Sequence, residues 1–148
     1  MNNFQDISKN REFKNRISAF LSQYGLAGLE EALNIYEDMQ QMYLIKTKSS
    51  VSKIRFCEIN YIEIQGHHMT IHTEQGTFQK YGSLVQELKL LSPYGFIKCN
   101  QNCIVSLHKI NEIVQDDIIL MDGTSIHMSR NCTPKVLMNF NRQAFSQR

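Results

Sequence analysis

Only two prolines and seven glycines occur in 148 residues, too few for a collagen-like, elastic or Pro/Gly-rich disordered chain. No apolar run approaches the roughly 18 residues that cross a bilayer, and the N-terminus lacks the apolar core of a secretory signal. The expected location is the cytoplasm. Four cysteines, Cys57, Cys99, Cys103 and Cys132, show no CxxC spacing, so reduced thiols are expected in place of a disulfide framework. The strings GxxxxGK[ST], GxGxxG, HExxH and GxSxG are also missing, which leaves phosphate-cradling loops, a metalloprotease helix and a nucleophile elbow without support. Nor does one charge dominate: 16 Lys and Arg against 14 Asp and Glu leave a net +2, short of the strongly basic balance that marks a nucleic-acid footprint. The surplus lies in residues 98–148, with six basic and four acidic groups.

What remains is a chain able to bury a core, 42% hydrophobic and 20% charged, of a length that fits one domain with a small appendage. Phe13, Ile17, Phe20, Leu21 and Tyr24 recur at helical spacing, and Gly25 supplies a stop. A second helix is expected from near Gly28, with Leu29, Ala32, Leu33, Tyr36, Met39 and Tyr43 along one stripe. Residues 1–41 thus read as a helical segment for oligomerisation or partner docking. Its stripes must be buried against each other, against the following domain, or against a second copy in a homodimer, and the pattern does not choose.

From about residue 42 the period drops to two. Strands are expected at 43–48, 52–56, 59–64, 68–73 and 77–81, with Glu74-Gln75-Gly76 turning the last pair. Ser83-Leu84-Val85-Gln86 opens a short helix as a capping box, and Ser92-Pro93 closes it. Further strands follow at 96–99, 104–105, 110–114, 118–121 and 124–128, the last two joined by Asp122-Gly123. A final helix carries Val136, Leu137 and Phe140, capped either by Ser129 or by Thr133 with Pro134 at its first position. Residues 42–148 therefore read as one mainly β domain, a sandwich or meander of short strands.

Candidate chemistry within it is sparse. His68 and His72 share a strand face, but four residues separate them by about 13 Å, too far for one zinc ion. Cys99, Cys103 and His108 match no standard zinc spacing, and a Cys with a His is too generic to mark a nucleophile. No metal, cofactor, small-molecule substrate or enzymatic activity is expected.

Several short matches in fixed order point elsewhere: Glu58-Ile59-Asn60-Tyr61-Ile62-Glu63, Tyr81-Gly82-Ser83-Leu84, Phe96-Ile97-Lys98-Cys99 with Ile104-Val105 beyond it, Ile110-Asn111-Glu112-Ile113, and Asp122-Gly123 leading to Met128-Ser129-Arg130. Over about residues 42–142 the chain resembles the LytTR-type DNA-binding domain of bacterial response regulators. The resemblance implies an elongated fold of small β-sheets with short helices, which reads duplex DNA by loops in successive major grooves, at repeated half-sites. It places His72, Gln101 and Arg130 at base-reading positions. Those side chains suit the task, since Arg can bridge guanine O6 and N7, Gln can bridge adenine N6 and N7, and His can donate or accept at a base edge. Alternation along 68–73 sets His72 with His68 and Thr70, opposite Met69 and Ile71. Arg130, placed before a helix start that disfavours cations, makes sense if an anion or base also sits there.

Lys80, Lys98 and Lys135 are candidate phosphate contacts, as are Lys109 and the polar Asn100, Asn102, Ser129 and Asn131. The chain departs from the family where many members have His-Arg-Ser and it has Asn100-Gln101-Asn102, and where they have Val-Asn and it has Val105-Ser106. The loss of a basic residue at Gln101 weakens an expected phosphate or guanine contact. Residues 1–40 are too short for a phosphoacceptor receiver, so input is expected through abundance, a partner on the N-terminal helices, or a membrane protein that holds the regulator. The functional expectation is a sequence-specific transcription regulator; the alternative is an interaction module that heteromerises with another regulator and has lost tight DNA binding.

Overall fold

Helical period gives way to strand period near residue 40, and in the computed structural model, which describes residues 10–143, the chain divides close to that point into the units Met1–Asp38 and Met39–Arg148. The first unit is built on α1 (Arg11–Met39), which starts where the Asn10 Oδ1 accepts the Phe13 N–H at 2.9 Å. Gly25, at φ 72° and ψ −175°, interrupts it, a backbone state that residues with a Cβ rarely enter. The expected stripe from Leu29 to Tyr43 is not one continuous face. Leu33 and Tyr36 are exposed, and Tyr43 lies buried on a strand, because the helix ends before the period-two segment begins.

The second unit holds ten antiparallel strands in three sheets. Strands β1 (Met42–Lys46) and β2 (Val51–Arg55) form a two-stranded hairpin. A five-stranded sheet has the order β5-β4-β3-β7-β6, from β3 (Ile59–Gln65), β4 (His68–Thr73), β5 (Gly76–Tyr81), β6 (Phe96–Asn100) and β7 (Cys103–Ser106). The third sheet is the meander β8 (Ile110–Val114), β9 (Asp117–Leu120) and β10 (Ser125–His127). Helices α2 (Leu84–Leu91) and α3 (Thr133–Gln143) complete it. The mainly β fold expected from the sequence is the fold found.

Strand alternation divides the interior into two clusters. Ile62 and Ile64 of β3, Ile104 of β7 and Phe96 of β6 meet Tyr43, Ile45 and Ile54 of the hairpin and Leu91 of α2. On the other side, Cys103 and Val105 of β7 and Ile97 and Cys99 of β6 meet Ile118, Leu120 and Ile126 of the meander and Val136 of α3. The five-stranded sheet is therefore covered on both faces. Leu137, expected in the α3 face, is 37% exposed, whereas Val136 and the partly buried Phe140 pack inward.

One charged group sits inside the first cluster. Glu87 of α2 is 7% exposed; it accepts from the Tyr43 hydroxyl at 2.5 Å and from the Lys80 Nζ at 3.0 Å. Both carboxylate oxygens are satisfied, which a buried charge requires. Burial and the adjacent Glu87 push the Tyr43 hydroxyl well above its usual range, so it stays a donor. A second constraint is Gly95, at φ 86°, where an added Cβ would meet the His108 Nε2 at 2.8 Å.

Two substitutions should separate a satisfied polar group from an idle one. Tyr43→Phe removes a donor from buried Glu87 and should cost about 1–3 kcal/mol, while Ser106→Ala removes a hydroxyl that is fully buried with no hydrogen-bond partner among the described residues and should be neutral or slightly stabilising. Urea unfolding of both variants checks this; an equal loss in both would contradict the assignment.

Candidate nucleic-acid interface

The turn between β6 and β7 is short and tightly held. The Asn100 Oδ1 accepts the Asn102 N–H at 2.8 Å and folds the turn around Gln101. The Asn100 Nδ2 donates to the His127 carbonyl at 2.9 Å, and the Ser129 N–H donates to the Cys99 carbonyl at 2.9 Å. The end of β10 is thus bonded to the end of β6. Asn102 adds a third connection, accepting the Ile64 N–H at 2.8 Å.

This arrangement brings two of the expected base readers together. Gln101 is exposed at the tip of the turn, and Arg130 is exposed one residue beyond the Ser129 bond. Arg130 has no ion-pair partner among the described residues. It lies in the turn leading into α3, where the Thr133 N–H and hydroxyl both donate to the Ser129 carbonyl, at 3.1 and 2.9 Å. Ser129 therefore contributes to the helix start through its carbonyl, not through the side-chain cap considered from sequence.

His72 is placed differently. It stands opposite Tyr61 across β3 and β4, its ring stacked on the Tyr61 ring at 4.1 Å and 6°, and its Nε2 is 2.7 Å from the Glu63 Oε1. Tyr61 and Glu63 line a cleft of about 290 Å³ with Asn100, Asn102, Cys103, Ser125 and His127. The cleft thus lies against the bonded turn through Asn100 and Asn102, and His72 touches two of its lining residues, Tyr61 and Glu63. Sequence reasoning singled out neither Tyr61 nor Glu63 as site residues. The signal was present in the alternation of β3, which sets both opposite Ile62 and Ile64.

The candidate phosphate contacts divide into two groups. Lys80 turns inward onto Glu87 and over the Tyr43 ring, and Lys109 pairs with Glu74, which withdraws both from the free cations. Lys98, half-buried, and Lys135, exposed, have no ion pair among the described residues. Asn131 is exposed beside Arg130, whereas Asn100, Asn102 and Ser129 serve the turn and its junction. A further set escaped the sequence reading. Lys46, Lys48, Lys53 and Arg55 of the β1–β2 hairpin are all exposed, and the signal was the absence of any acidic residue between Asp38 and Glu58.

Beneath the turn, Cys99 and Cys103 are buried, the Cys99 thiol donating to the Cys103 carbonyl at 3.6 Å. The Cys99 thiol and burial push Cys103 far above the usual thiol range, so it stays protonated and packs as a small hydrophobe. Among the described residues no three His, Cys, Asp or Glu side chains gather to hold a metal ion, and no helix is long and apolar enough to cross a membrane.

The LytTr DNA-binding domain family model matches residues 49–141. The chain belongs to that family. A solved LytTr DNA-binding domain from Bacillus cereus shares the fold at a TM-score of 0.56 and 23% identity, over 65% of this chain and 95% of that one. No curated protein matches. The LytTR segment spans all of the five-stranded sheet, the meander and most of α3, and with it the bonded turn and Arg130. By its family that segment is a DNA-binding domain.

Asn100 makes two bonds at the junction, so Asn100→Ala should loosen the turn by about 1–2 kcal/mol and raise amide exchange at Asn102 roughly five- to thirtyfold. Hydrogen exchange followed by NMR measures this directly; unchanged protection at Asn102 would show that the turn does not depend on the side chain.

Proposed function

We propose that this LytTR protein is a transcription regulator that reads duplex DNA in a sequence-specific way, with Gln101 and Arg130 at base edges in one major groove and His72 contributing beside them. The observation that carries the proposal is the junction of β6 and β10, where an exposed amide and a guanidinium without an ion pair among the described residues stand on turns bonded to each other. Base readout needs such pre-positioning, since a side chain ordered only on binding loses part of the gain to entropy.

Lys98 and Lys135 are the phosphate contacts that this arrangement favours, with Asn131 as a neutral donor. Four more cations on the β1–β2 hairpin supply a sequence-independent attraction that falls with salt. Glu63 has a defined part as well. Its carboxylate engages the His72 Nε2, so His72 either exchanges Glu63 for a base or keeps it and meets the base through Nδ1, as acceptor when neutral and as donor when protonated. The protein acts by binding, in the cytoplasm where its DNA lies, and repeated half-sites are its expected targets.

Selection of bound duplexes from a random pool tests the reading. Enrichment of a repeated motif is expected, and Arg130→Ala should lower affinity for it by about 1–3 kcal/mol and relax preference at one base pair. Enrichment untouched by the substitution would remove Arg130 from base reading. No enrichment from folded protein at low salt would support the interaction module, a LytTR fold that heteromerises with another regulator.

Glu63→Gln should raise affinity for the selected duplex severalfold, because it removes an anion beside the interface and frees His72. A fall in affinity, measured by titration at fixed salt, would mean that the carboxylate itself accepts from a base.

A further inference from the structure

Among its described residues the N-terminal unit has helices but no interior. None of the residues of α1 is buried, and Phe13, Ile17, Leu26, Leu33, Ile35 and Tyr36 are all more than a third exposed. A segment as small as residues 10–38 of this unit usually needs a disulfide, a metal or a second subunit to hold a core. Disulfides are not available to it, since all four cysteines lie beyond Asp38.

The unit nevertheless has a defined shape. Phe13, Ile17, Phe20 and Leu21 before Gly25, and Leu29 and Ala32 after it, line one apolar groove of about 260 Å³ with Arg16. The two halves of α1 therefore fold back on each other at Gly25. The bend is close, because a Cβ at Gly28 would collide with the Tyr24 Cβ. Helical halves this short are marginal in water without a packed face, and this face is open among the described residues.

Charge indicates what closes it. The half before Gly25 carries Arg11, Lys14 and Arg16 against one acid, Glu12, while the half after it carries Glu30, Glu31, Glu37 and Asp38 and no Lys or Arg. A surface with one cationic and one anionic helix is complementary to itself after a two-fold rotation, which lays each cationic half beside the anionic half of the other copy. A basic partner helix would meet repulsion from the first half, and an acidic one from the second.

We propose that this groove is the dimerisation surface of the protein, closed by the same groove of a second copy to form a four-helix assembly. The proposal goes beyond DNA reading and does not depend on it. If both hold, the dimer places two readers in one particle, matching repeated half-sites and adding avidity.

The test uses the full chain without DNA, by sedimentation equilibrium across a wide concentration range. A dimer is expected, and Ile17→Glu should weaken association by more than about a hundredfold by placing a charge in the apolar seam. Because such a variant can also unfold the helices, charge exchange supplies the second arm. The triple substitution Arg11→Glu, Lys14→Glu, Arg16→Glu and the triple substitution Glu30→Lys, Glu31→Lys, Glu37→Lys should each lose self-association, and an equimolar mixture should recover a heterodimer. A wild-type monomer at every concentration would overturn the proposal, pointing to a cover from within the chain or a different partner. A dimer indifferent to Ile17→Glu and to both triple substitutions would overturn it as well, since the contact would then lie elsewhere. Neither result bears on whether Arg130 reads a base.

Discussion

The Ser129 N–H donates to the Cys99 carbonyl at 2.9 Å, and this bond, with the neighbouring one from Asn100 to the His127 carbonyl, pins the meander to the five-stranded sheet at the edge of their shared apolar packing. A cluster such as Ile97, Val105, Ile118 and Ile126 tolerates sliding, because burial is non-directional. Two directed hydrogen bonds at its edge do not. They fix the end of the meander against the β6–β7 turn, and Gln101 and Arg130 inherit their relative position from that fixation. Beneath the turn lie the small, buried side chains of Cys99 and Cys103.

The same logic distributes the charges. Cations near the five-stranded sheet are either paired, as Lys80 is with Glu87 and Lys109 with Glu74, or without an ion pair among the described residues, as Arg130, Lys98 and Lys135 are. An internal pair contributes to the fold and little to association with an anion, since its field is already neutralised locally. The unpaired ones retain their attraction for phosphate. This explains how a chain of net charge +2 can serve as a DNA-binding domain: the relevant quantity is the local arrangement of unpaired charge, not the total.

Much of the fold was legible because short strands announce themselves by alternation and by turn chemistry. Asp122-Gly123 and Glu74-Gln75-Gly76 marked hairpins that the structure contains, and Ser83 marked the start of α2, where its Oγ accepts the Gln86 N–H at 3.2 Å. The stripe from Leu29 to Tyr43 misled because spacing cannot reveal that the helix ends before Tyr43. Which sheet covers which face was also hidden, since sheet order depends on contacts far apart in sequence. For the candidate site, alternation placed His72 on the side away from Met69 and Ile71, but its partner Glu63 and the stacked Tyr61 belong to another strand. The inward turn of Lys80 was equally out of reach, because Glu87 becomes its partner only when α2 packs against the five-stranded sheet. Arg130 and Gln101 came from family resemblance; their adjacency came from the junction.

The central claim is that the junction presents a DNA-reading surface at Gln101 and Arg130, with His72 beside it. Titration of isotope-labelled full-length protein with a selected duplex, followed residue by residue by NMR, tests it most directly. The account predicts the largest shifts at Gln101, Arg130, Asn131 and His72, with smaller ones along the β1–β2 hairpin that fade as salt rises. Shifts confined to other faces, with those four positions unmoved at saturation, would contradict it.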